Sequence, residues 1–389
     1  MEMSDSIVNY AKPVHILFLP SGLGVGQMVP FFRLASMLAS HKCRITFITM
    51  PLEISITKSI LINNFFAIHP EINRLDFQIL PLNTSTSSIS DPFIMQIDAI
   101  NFILAYSLSQ IANNINIPIY NISTTSAKFY STVAYLPVLL SEDPDAFKYC
   151  SGNLEIPGIG SVPKSSIPHS WLDNSPSNYV LKDYLLPNAR ALPHVTGIFL
   201  NTFDWFEPET IASLDDGRVT SSLPLVFPVG PCSWLDEQPA ESVVYVNFGT
   251  REPISAQQLR KIGEGLEIFL VEMEKKGKIM KPGDYEAVMN ATWSGVPMMA
   301  WPQHGDQKLN AEVVEKVGLG RWVEEWGWGE ENLVNGGEIA EMVKNLMGDV
   351  NMKVNTIKVR EQARKAKEIG GSSEKRLRKF IETLTAEQK

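Results

Sequence analysis

The chain has 389 residues, more than one hydrophobic core supports, so we expect two domains. A hydrophobic content of 44% and a charged content of 20% exclude a disordered chain and are typical of a globular protein. The net charge of -9, with no long basic run outside the C-terminal tail, excludes nucleic acid as an expected partner because phosphate binding requires a basic surface.

The cysteines and the N-terminus indicate a cytoplasmic protein. Cys43, Cys150 and Cys232 are odd in number and form no CxxC pair, which predicts reduced thiols and no zinc site. The first residues lack the basic and apolar regions of a signal peptide, and no stretch reaches the ~18 apolar residues of a membrane span. We therefore expect a cytoplasmic chain without membrane insertion.

Short apolar runs rich in branched residues alternate with longer helix-like segments at the start of the chain. In order, these segments are VHILFLP, FFRLASMLASH, CRITFITM, SITKSILINNFFAIHP and DFQILPL. The alternation predicts βαβ units and therefore an α/β fold with a parallel sheet.

The middle of the chain contains further strands and a change in composition. Residues 103–124 predict two helix-like segments with no strand between them, whereas residues 196–203 and 223–231 each predict a buried strand. The polar, proline-containing stretch 231–242 predicts a linker, and a new strand is expected at 243–250.

The second half repeats the alternation. It predicts a helix over 254–270, a strand over 296–302 and a helix that ends at Gly318. The basic C-terminal part predicts two helices separated at Gly370 and Gly371.

The glycine-rich stretch PSGLGVGQMVP, residues 20–30, joins the first strand to the first helix. A dinucleotide-binding loop is excluded, because the third glycine of GxGxxG is absent and Thr49 and Met50 supply no acid for a ribose. Two interpretations remain open: a tight turn that needs glycine for steric reasons, and one wall of a cleft with residue 27 facing a substrate.

Several motifs together carry a family resemblance. They are SVVYVNFGTR, GVPMMAWPQHGDQKLNAEVVEKVGLG, IPGIGSVPKSSIP, NTFDWFEPE and WLDEQPAES. In combination they resemble the plant family 1 UDP-glycosyltransferases over most of the chain. The sequence looks most similar to the branch that includes C-glycosyltransferases of flavonoid-type acceptors.

The resemblance implies the GT-B fold, with two facing Rossmann-like domains and parallel sheets. Residues 1–230 are then the acceptor-binding domain, 231–242 the linker and 243–365 a shortened UDP-sugar-binding domain. Residues 366–389 are expected to form a C-terminal helix that crosses back to the first domain.

The same resemblance implies an inverting transfer of a hexose, glucose above all, from a UDP-sugar to a phenolic acceptor. The UDP-sugar is a co-substrate, and neither a cofactor nor a metal is expected. The expected partners are these two small molecules, and the chain is expected to be a monomer.

The chain departs from the family at the catalytic base. Gln27 occupies the position of the family's histidine, and a carboxamide does not take up a proton near neutral pH. The strand that ends in the partner aspartate is not found either. Relative to the family, both domains are shortened in the sequence, near residues 100–112 and 268–292, so strands are expected to be missing from each domain.

The end of the donor site is present in the sequence. Asp306 and Gln307 match the family's pair that hydrogen-bonds sugar hydroxyls, and Thr250 matches a hydroxyl residue facing the diphosphate. Arg251 is next to Thr250 and is a candidate partner of phosphate oxygens.

The earlier part of the donor signature, an HCGWNS-like run, is not found. An ungapped alignment backward from Gly295 places PGDYEA there and puts Asn290 at the ribose-binding glutamate. A small shift of register places Glu286 there instead, and the sequence leaves both alternatives open.

Two functional hypotheses follow. One is an active UDP-glycosyltransferase, with full or residual activity. The other is a catalytically inactive relative that binds a ligand or a partner, or the product of a truncated gene model. Outside the family match, His15 is interpreted as a packed strand residue, Trp301 as a core aromatic and His304 as a loop residue.

Overall fold

The structure of the chain is a computed structural model. It describes residues 14–20, 25–49, 56–76, 117–143, 146–149, 152–172, 181, 185–231, 244–245, 255, 257–258, 260–265, 279–280, 285–303, 305–328 and 332–386. Thr250, Arg251, His304 and nearly all of the predicted linker lie outside these residues.

The strands form small sheets, most of them parallel. They are β1 (His15–Phe18), β2 (Arg44–Thr49), β3 (Asn73–Asp76), β4 (Tyr120–Ser123), β5 (Leu154–Ile156), β6 (Gly160–Val162), β7 (Gly197–Leu200), β8 (Leu225–Pro228), β9 (Val244–Tyr245), β10 (Ile279–Met280), β11 (Met298–Ala300) and β12 (Gly320–Trp322). The sheet orders are β1-β2-β3, β4-β7-β8, β10-β9 and β11-β12, all parallel, together with the antiparallel pair β5-β6.

The helices connect and cover these strands. They are α1 (Val25–Ser40), α2 (Ile56–Ile68), α3 (Ala127–Glu142), α4 (Ala146–Tyr149), α5 (His169–Leu172), α6 (Leu186–Ala191), α7 (Pro208–Asp215), α8 (Tyr285–Ser294), α9 (Gln307–Lys316), α10 (Gly336–Gly348), α11 (Val350–Lys367) and α12 (Ser372–Ala386). Within the described ranges, no helix combines the length and apolar character that crossing a membrane requires.

The βαβ units predicted at the start of the chain are confirmed. β1, α1, β2, α2 and β3 follow one another, and β2 pairs in parallel with both of its neighbours. The third strand begins at Asn73, upstream of the predicted run DFQILPL, of which only Asp76 lies within the described residues. Its four residues are all exposed, so hydrophobic periodicity could not detect it.

The prediction that no strand lies within residues 103–124 is wrong. Tyr120–Ser123 forms β4, which pairs with β7 in the register Tyr120 to Gly197 and Ser123 to Leu200. β4 alternates apolar and polar side chains over only four residues, too short a pattern to separate from its helix-like surroundings.

An aromatic cluster links the first half of the chain to its C-terminal helix. The Phe380 ring of α12 lies 4.8 Å from that of Tyr120, 4.7 Å from Phe199 and 5.7 Å from Phe227. Its side chain is only 1% exposed. The core above β4, β7 and β8 is therefore completed by a helix from the far end of the chain.

Candidate functional site: the polar seam between the two halves

Two side chains cap the N-terminus of α3, which faces the second half of the chain. Ser126 Oγ accepts the backbone N–H of Phe129 at 3.2 Å. The carboxylate of Glu207 accepts the backbone N–H groups of Ala127 and Lys128, both at 3.0 Å. These N–H groups have no partner within the helix, so a buried carboxylate at this point is strongly favoured.

Tyr285 joins this cap to the second half. Its hydroxyl, in the first turn of α8, donates to Glu207 Oε2 at 3.2 Å. Burial raises the pKa of Glu207, while the N–H and hydroxyl donors oppose that rise. Burial and the nearby Glu207 carboxylate hold the pKa of Tyr285 well above its usual value, so its hydroxyl remains a donor.

Asp306 lies at the start of α9 and faces the residues that precede α3. Its carboxylate accepts hydrogen bonds from the Thr125 hydroxyl and, at 2.8 Å, from Asn310 Nδ2. The backbone N–H of Ser126 in turn donates to Asn310 Oδ1 at 3.3 Å. The turn after β4 and the start of α9 thus form one hydrogen-bonded contact between the two halves of the chain. We call this boundary the seam; on its first-half side lie the turn before α3 and Glu207, and on its second-half side lie the starts of α8 and α9.

Gln307 follows Asp306 and is held by its own loop. Its side-chain Oε1 accepts the backbone N–H of Gln303 at 2.7 Å. That bond leaves the Gln307 amide nitrogen as the donor end, and it orients the side chain at the beginning of α9 beside Asp306.

Glu286 is a second buried carboxyl group at the seam, next to Tyr285 on α8. Asn201 Nδ2 donates to its Oε2 at 3.4 Å, whereas its Oε1 has no hydrogen-bond partner among the described residues. Burial raises its pKa to about 8, with Arg33 on α1 and the Asn201 bond acting in the opposite direction. At neutral pH this side chain is therefore mainly a neutral acid.

Curated proteins of similar sequence decide the family. UDP-glycosyltransferase 708G2 of Citrus unshiu is 30% identical, and the match covers 98% of this chain and 98% of that protein. UDP-glycosyltransferase 708C1 of Fagopyrum esculentum is 32% identical, with 94% of each chain covered. The chain belongs to the plant UDP-glycosyltransferases. No protein-family model matches it.

The solved plant UDP-glycosyltransferases share the fold. LpCGTa, whose crystal structure is in complex with UDP, is 32% identical and superposes with a TM-score of 0.81, covering 96% of this chain and 99% of its own. The α/β fold with parallel sheets is thus GT-B, as the sequence motifs predicted. The alignment with the Citrus glycosyltransferase spans 468 positions against 389 residues here, so that relative has residues with no counterpart in this chain.

Only part of the predicted donor site of this glycosyltransferase lies within the described residues. Asp306 and Gln307 are adjacent at the start of α9. Asn290 and Glu286 lie one turn apart on α8 and are 1% and 5% exposed, so both candidate registers place a buried polar group on this helix. Gln27 is in the first turn of α1, and its side chain lies outside the described residues.

Three polar residues of the seam were missed by sequence reasoning: Thr125, Glu207 and Tyr285. The hydroxyl-rich TTS stretch before α3 was a usable signal for Thr125, because Ser and Thr are frequent at helix N-termini. Glu207 could not be distinguished from the exposed Glu209 two residues later.

The structure also places His15 and Trp301, which the sequence predicted to be a packed strand residue and a core aromatic. His15 is on β1 but is exposed, with its Nε2 2.9 Å from Thr46 Oγ1, so the prediction of a packed residue is wrong. Arg44 Nη2 on β2 lies 3.2 Å from the Nδ1 of His15, and the rest of the ring is open to solvent. Trp301 packs against Trp326 at 4.6 Å between ring centroids, consistent with a core aromatic.

Within the described part of the chain, no group of His, Cys, Asp or Glu is placed to hold a metal ion.

Proposed function

We propose that this chain transfers a hexosyl group, glucose above all, from a UDP-sugar to a phenolic, flavonoid-type plant metabolite. The transfer inverts the anomeric centre and needs neither a metal nor a further cofactor, and the chain works as a cytoplasmic monomer with weak activity. The observation that carries the proposal is the position of Asp306 at the start of α9, facing Thr125 across the seam. A carboxylate and a hydroxyl converging from two halves are suited to hold sugar hydroxyls.

Relatives support the donor assignment. The family name of the curated proteins specifies a UDP-sugar donor, and LpCGTa was solved with UDP. Asp306 and Gln307 then hold the sugar, Thr250 and Arg251 face the diphosphate, and Asn290 or Glu286 faces the ribose.

The reaction forms a bond from the acceptor to the anomeric carbon and breaks the bond from that carbon to the UDP oxygen. UDP leaves with the bonding electron pair, and the acceptor loses a proton. Gln27 does not accept that proton, so we expect it to pass to solvent from an acidic phenol. The loss of a positioned base makes turnover slow by about 10² to 10⁴.

A second candidate is a member that binds ligand without turnover. It is favoured by Glu286, a buried carboxyl group in the first turn of α8 that has a partner for only one of its oxygens among the described residues. In the ungapped register this residue belongs to the stretch that replaces HCGWNS. In its neutral form this carboxyl group offers a diphosphate at most one hydrogen-bond donor, and once ionised above about pH 8 it opposes diphosphate binding.

Titration calorimetry with UDP separates the two candidates, after circular dichroism has shown that the chain is folded. An enzyme is expected to bind UDP saturably between micromolar and low millimolar concentrations. Turnover of UDP-glucose with simple phenols then tests transfer, and Asp306→Asn, which retains the shape of the side chain, should lower turnover more than UDP affinity. A folded chain that binds no UDP, or that binds UDP without turnover, is the non-catalytic relative.

The variant Gln27→His tests the missing base directly. If only the base is lacking, turnover with a weakly acidic acceptor should rise by about 10² or more, whereas a strongly acidic phenol should gain less. Gln303→His, a change of the same kind in the loop before α9, is the matched control and should give no gain. Equal rates for Gln27→His and the parent with every acceptor would contradict this account of the site.

A further inference from the structure

A small cavity lies in the first half, between α3 and α6. Its volume is about 160 Å³. Ala134 and Ala189 line it with buried methyl groups, and Pro137, Val138 and Leu223 form half-buried apolar walls. The cavity is thus apolar in its interior and open to solvent on one side.

The volume limits what the cavity can hold. An engineered apolar cavity of about 150 Å³ in another protein binds benzene, whereas pockets for drug-sized ligands start near ~300 Å³. A single aromatic ring therefore fits, and a fused flavonoid nucleus does not.

A positively charged side chain, that of Arg190, lies at the opening of the cavity. Arg190, in the last turn of α6, is exposed, and it has no ion pair among the described residues. In the same half of the chain, the carboxylates of Asp215 and Asp216 pair with Arg376 and Arg218. The guanidinium of Arg190 is consequently available, and its planar fork matches a carboxylate.

Two hydroxyl groups line another part of the opening. Thr220 Oγ1 and Ser222 Oγ lie 3.1 Å apart and hydrogen-bond to each other. Each hydroxyl retains further acceptor or donor capacity. They add a place for a ring substituent such as a phenolic hydroxyl.

We propose that this cavity binds a monocyclic aromatic carboxylate, of the benzoate or hydroxybenzoate class. The ring fills the apolar interior, and the carboxylate pairs with Arg190. The site is separate from the donor site, because Pro137 and Val138 lie about ten residues, or roughly 15 Å, along α3 from the end that faces Asp306.

Calorimetric titration of the full chain with sodium benzoate tests the proposal. We expect saturable binding on the order of 1 mM or tighter. Arg190→Gln should weaken it about tenfold or more, because a charge-assisted pair is lost. Arg218→Gln, a change to an exposed arginine of the same half that does not line the cavity, should leave it unchanged. Benzamide, which has the same shape without the charge, should bind as weakly as benzoate binds to Arg190→Gln.

Filling the cavity gives an independent test. Val138→Phe should abolish benzoate binding while the melting temperature shows that the chain is folded; Leu223→Phe serves if that variant does not fold. Saturating UDP and the change Asp306→Asn should not alter benzoate affinity. Equal affinity of Arg190→Gln and the parent, binding that survives both filled variants, or competition with UDP would each overturn the proposal.

Discussion

Two buried glutamates flank Tyr285 at the seam, and their surroundings differ. Glu207 accepts two backbone N–H groups and the Tyr285 hydroxyl, so its carboxylate is well provided with donors. Glu286 is equally buried, at 5% exposure, but has one long hydrogen bond and an oxygen without a partner among the described residues.

The difference shows that burial alone does not define the role of an acidic side chain. Buried donors stabilise an ionised carboxylate, whereas a buried carboxyl group with few donors keeps its proton. Burial raises the pKa of both groups, but at Glu207 the N–H and hydroxyl donors oppose that rise. Glu207 therefore stabilises the seam as a hydrogen-bond acceptor at the N-terminus of α3, and Glu286 couples the seam to pH. Each of the following experiments tests one side of this comparison.

The largest effect is expected when the well-supported carboxylate is removed. Glu207→Ala leaves the N–H groups of Ala127 and Lys128 and the hydroxyl of Tyr285 without their acceptor. The free energy of unfolding should fall by about 3 to 5 kcal/mol. Chemical denaturation measures the loss. The control variant Glu209→Ala removes an exposed carboxylate, and its free energy of unfolding should fall by less than about 1 kcal/mol.

The next effect concerns the pH dependence of stability. Folding raises the pKa of Glu286 from 4.5 to about 8, so the folded chain holds a proton that the unfolded chain releases. The resulting stability is fully present below pH 4.5 and is lost as the pH rises through 8. Between pH 6 and pH 9 the loss should be about 2 to 3 kcal/mol.

The variant Glu286→Gln isolates this contribution, because an amide of the same shape does not titrate. Its unfolding free energy should fall less than that of the parent over the same pH range. Glu264→Gln, a change to an exposed carboxylate paired with Lys261, should retain the pH dependence of the parent. Parallel curves for the parent and Glu286→Gln would show that Glu286 does not hold the proton.

A smaller effect is expected at the residue between the two glutamates. Tyr285→Phe removes one hydrogen bond to Glu207 and leaves the two backbone donors in place. Stability should fall by about 1 to 1.5 kcal/mol, the usual contribution of one hydrogen bond. In thermal unfolding, Tyr135→Phe, on the less buried face of α3, should change the melting temperature much less. A loss as large as that of Glu207→Ala would mean that Tyr285 is the main support of the cap.

The smallest effect is expected from removing an exposed ion pair that crosses the seam. Lys316 and Glu209 form an ion pair whose side chains are 71% and 74% exposed. Lys316→Met should change the unfolding free energy by no more than about 0.5 kcal/mol, because solvent screens the pair. A larger change, measured at moderate salt, would contradict the view that buried rather than exposed groups stabilise the seam.

The parts of the fold that could be predicted are those with local signals. β7 and β8 are continuous apolar runs, and β2 is rich in branched and aromatic residues. α12 opens with serine next to the Gly370–Gly371 break, so sequence alone located all four elements. β4 was missed because alternation over four residues is a weak signal, and its pairing with β7 connects residues far apart in the chain.

In the candidate site, too, local motifs were predictable and long-range contacts were not. Asp306 and Gln307 were predicted as donor-site residues because a contiguous motif contains both. The bond from Tyr285 to Glu207 joins residues 78 positions apart, and that from Thr125 to Asp306 joins residues 181 positions apart. No local pattern encodes such contacts, because they depend on how the two halves pack.

The packing of Phe380 has a consequence for how the chain matures during translation. Its ring completes the core around Phe199 and Phe227, yet it leaves the ribosome roughly 150 residues after Phe227. At ~5–20 residues per second, that interval is about 8 to 30 s. During this time the nascent first half exposes the apolar surface that α12 later covers. Chaperones that recognise exposed apolar surface are therefore expected to bind the nascent chain in this interval and to dissociate when its last helix docks.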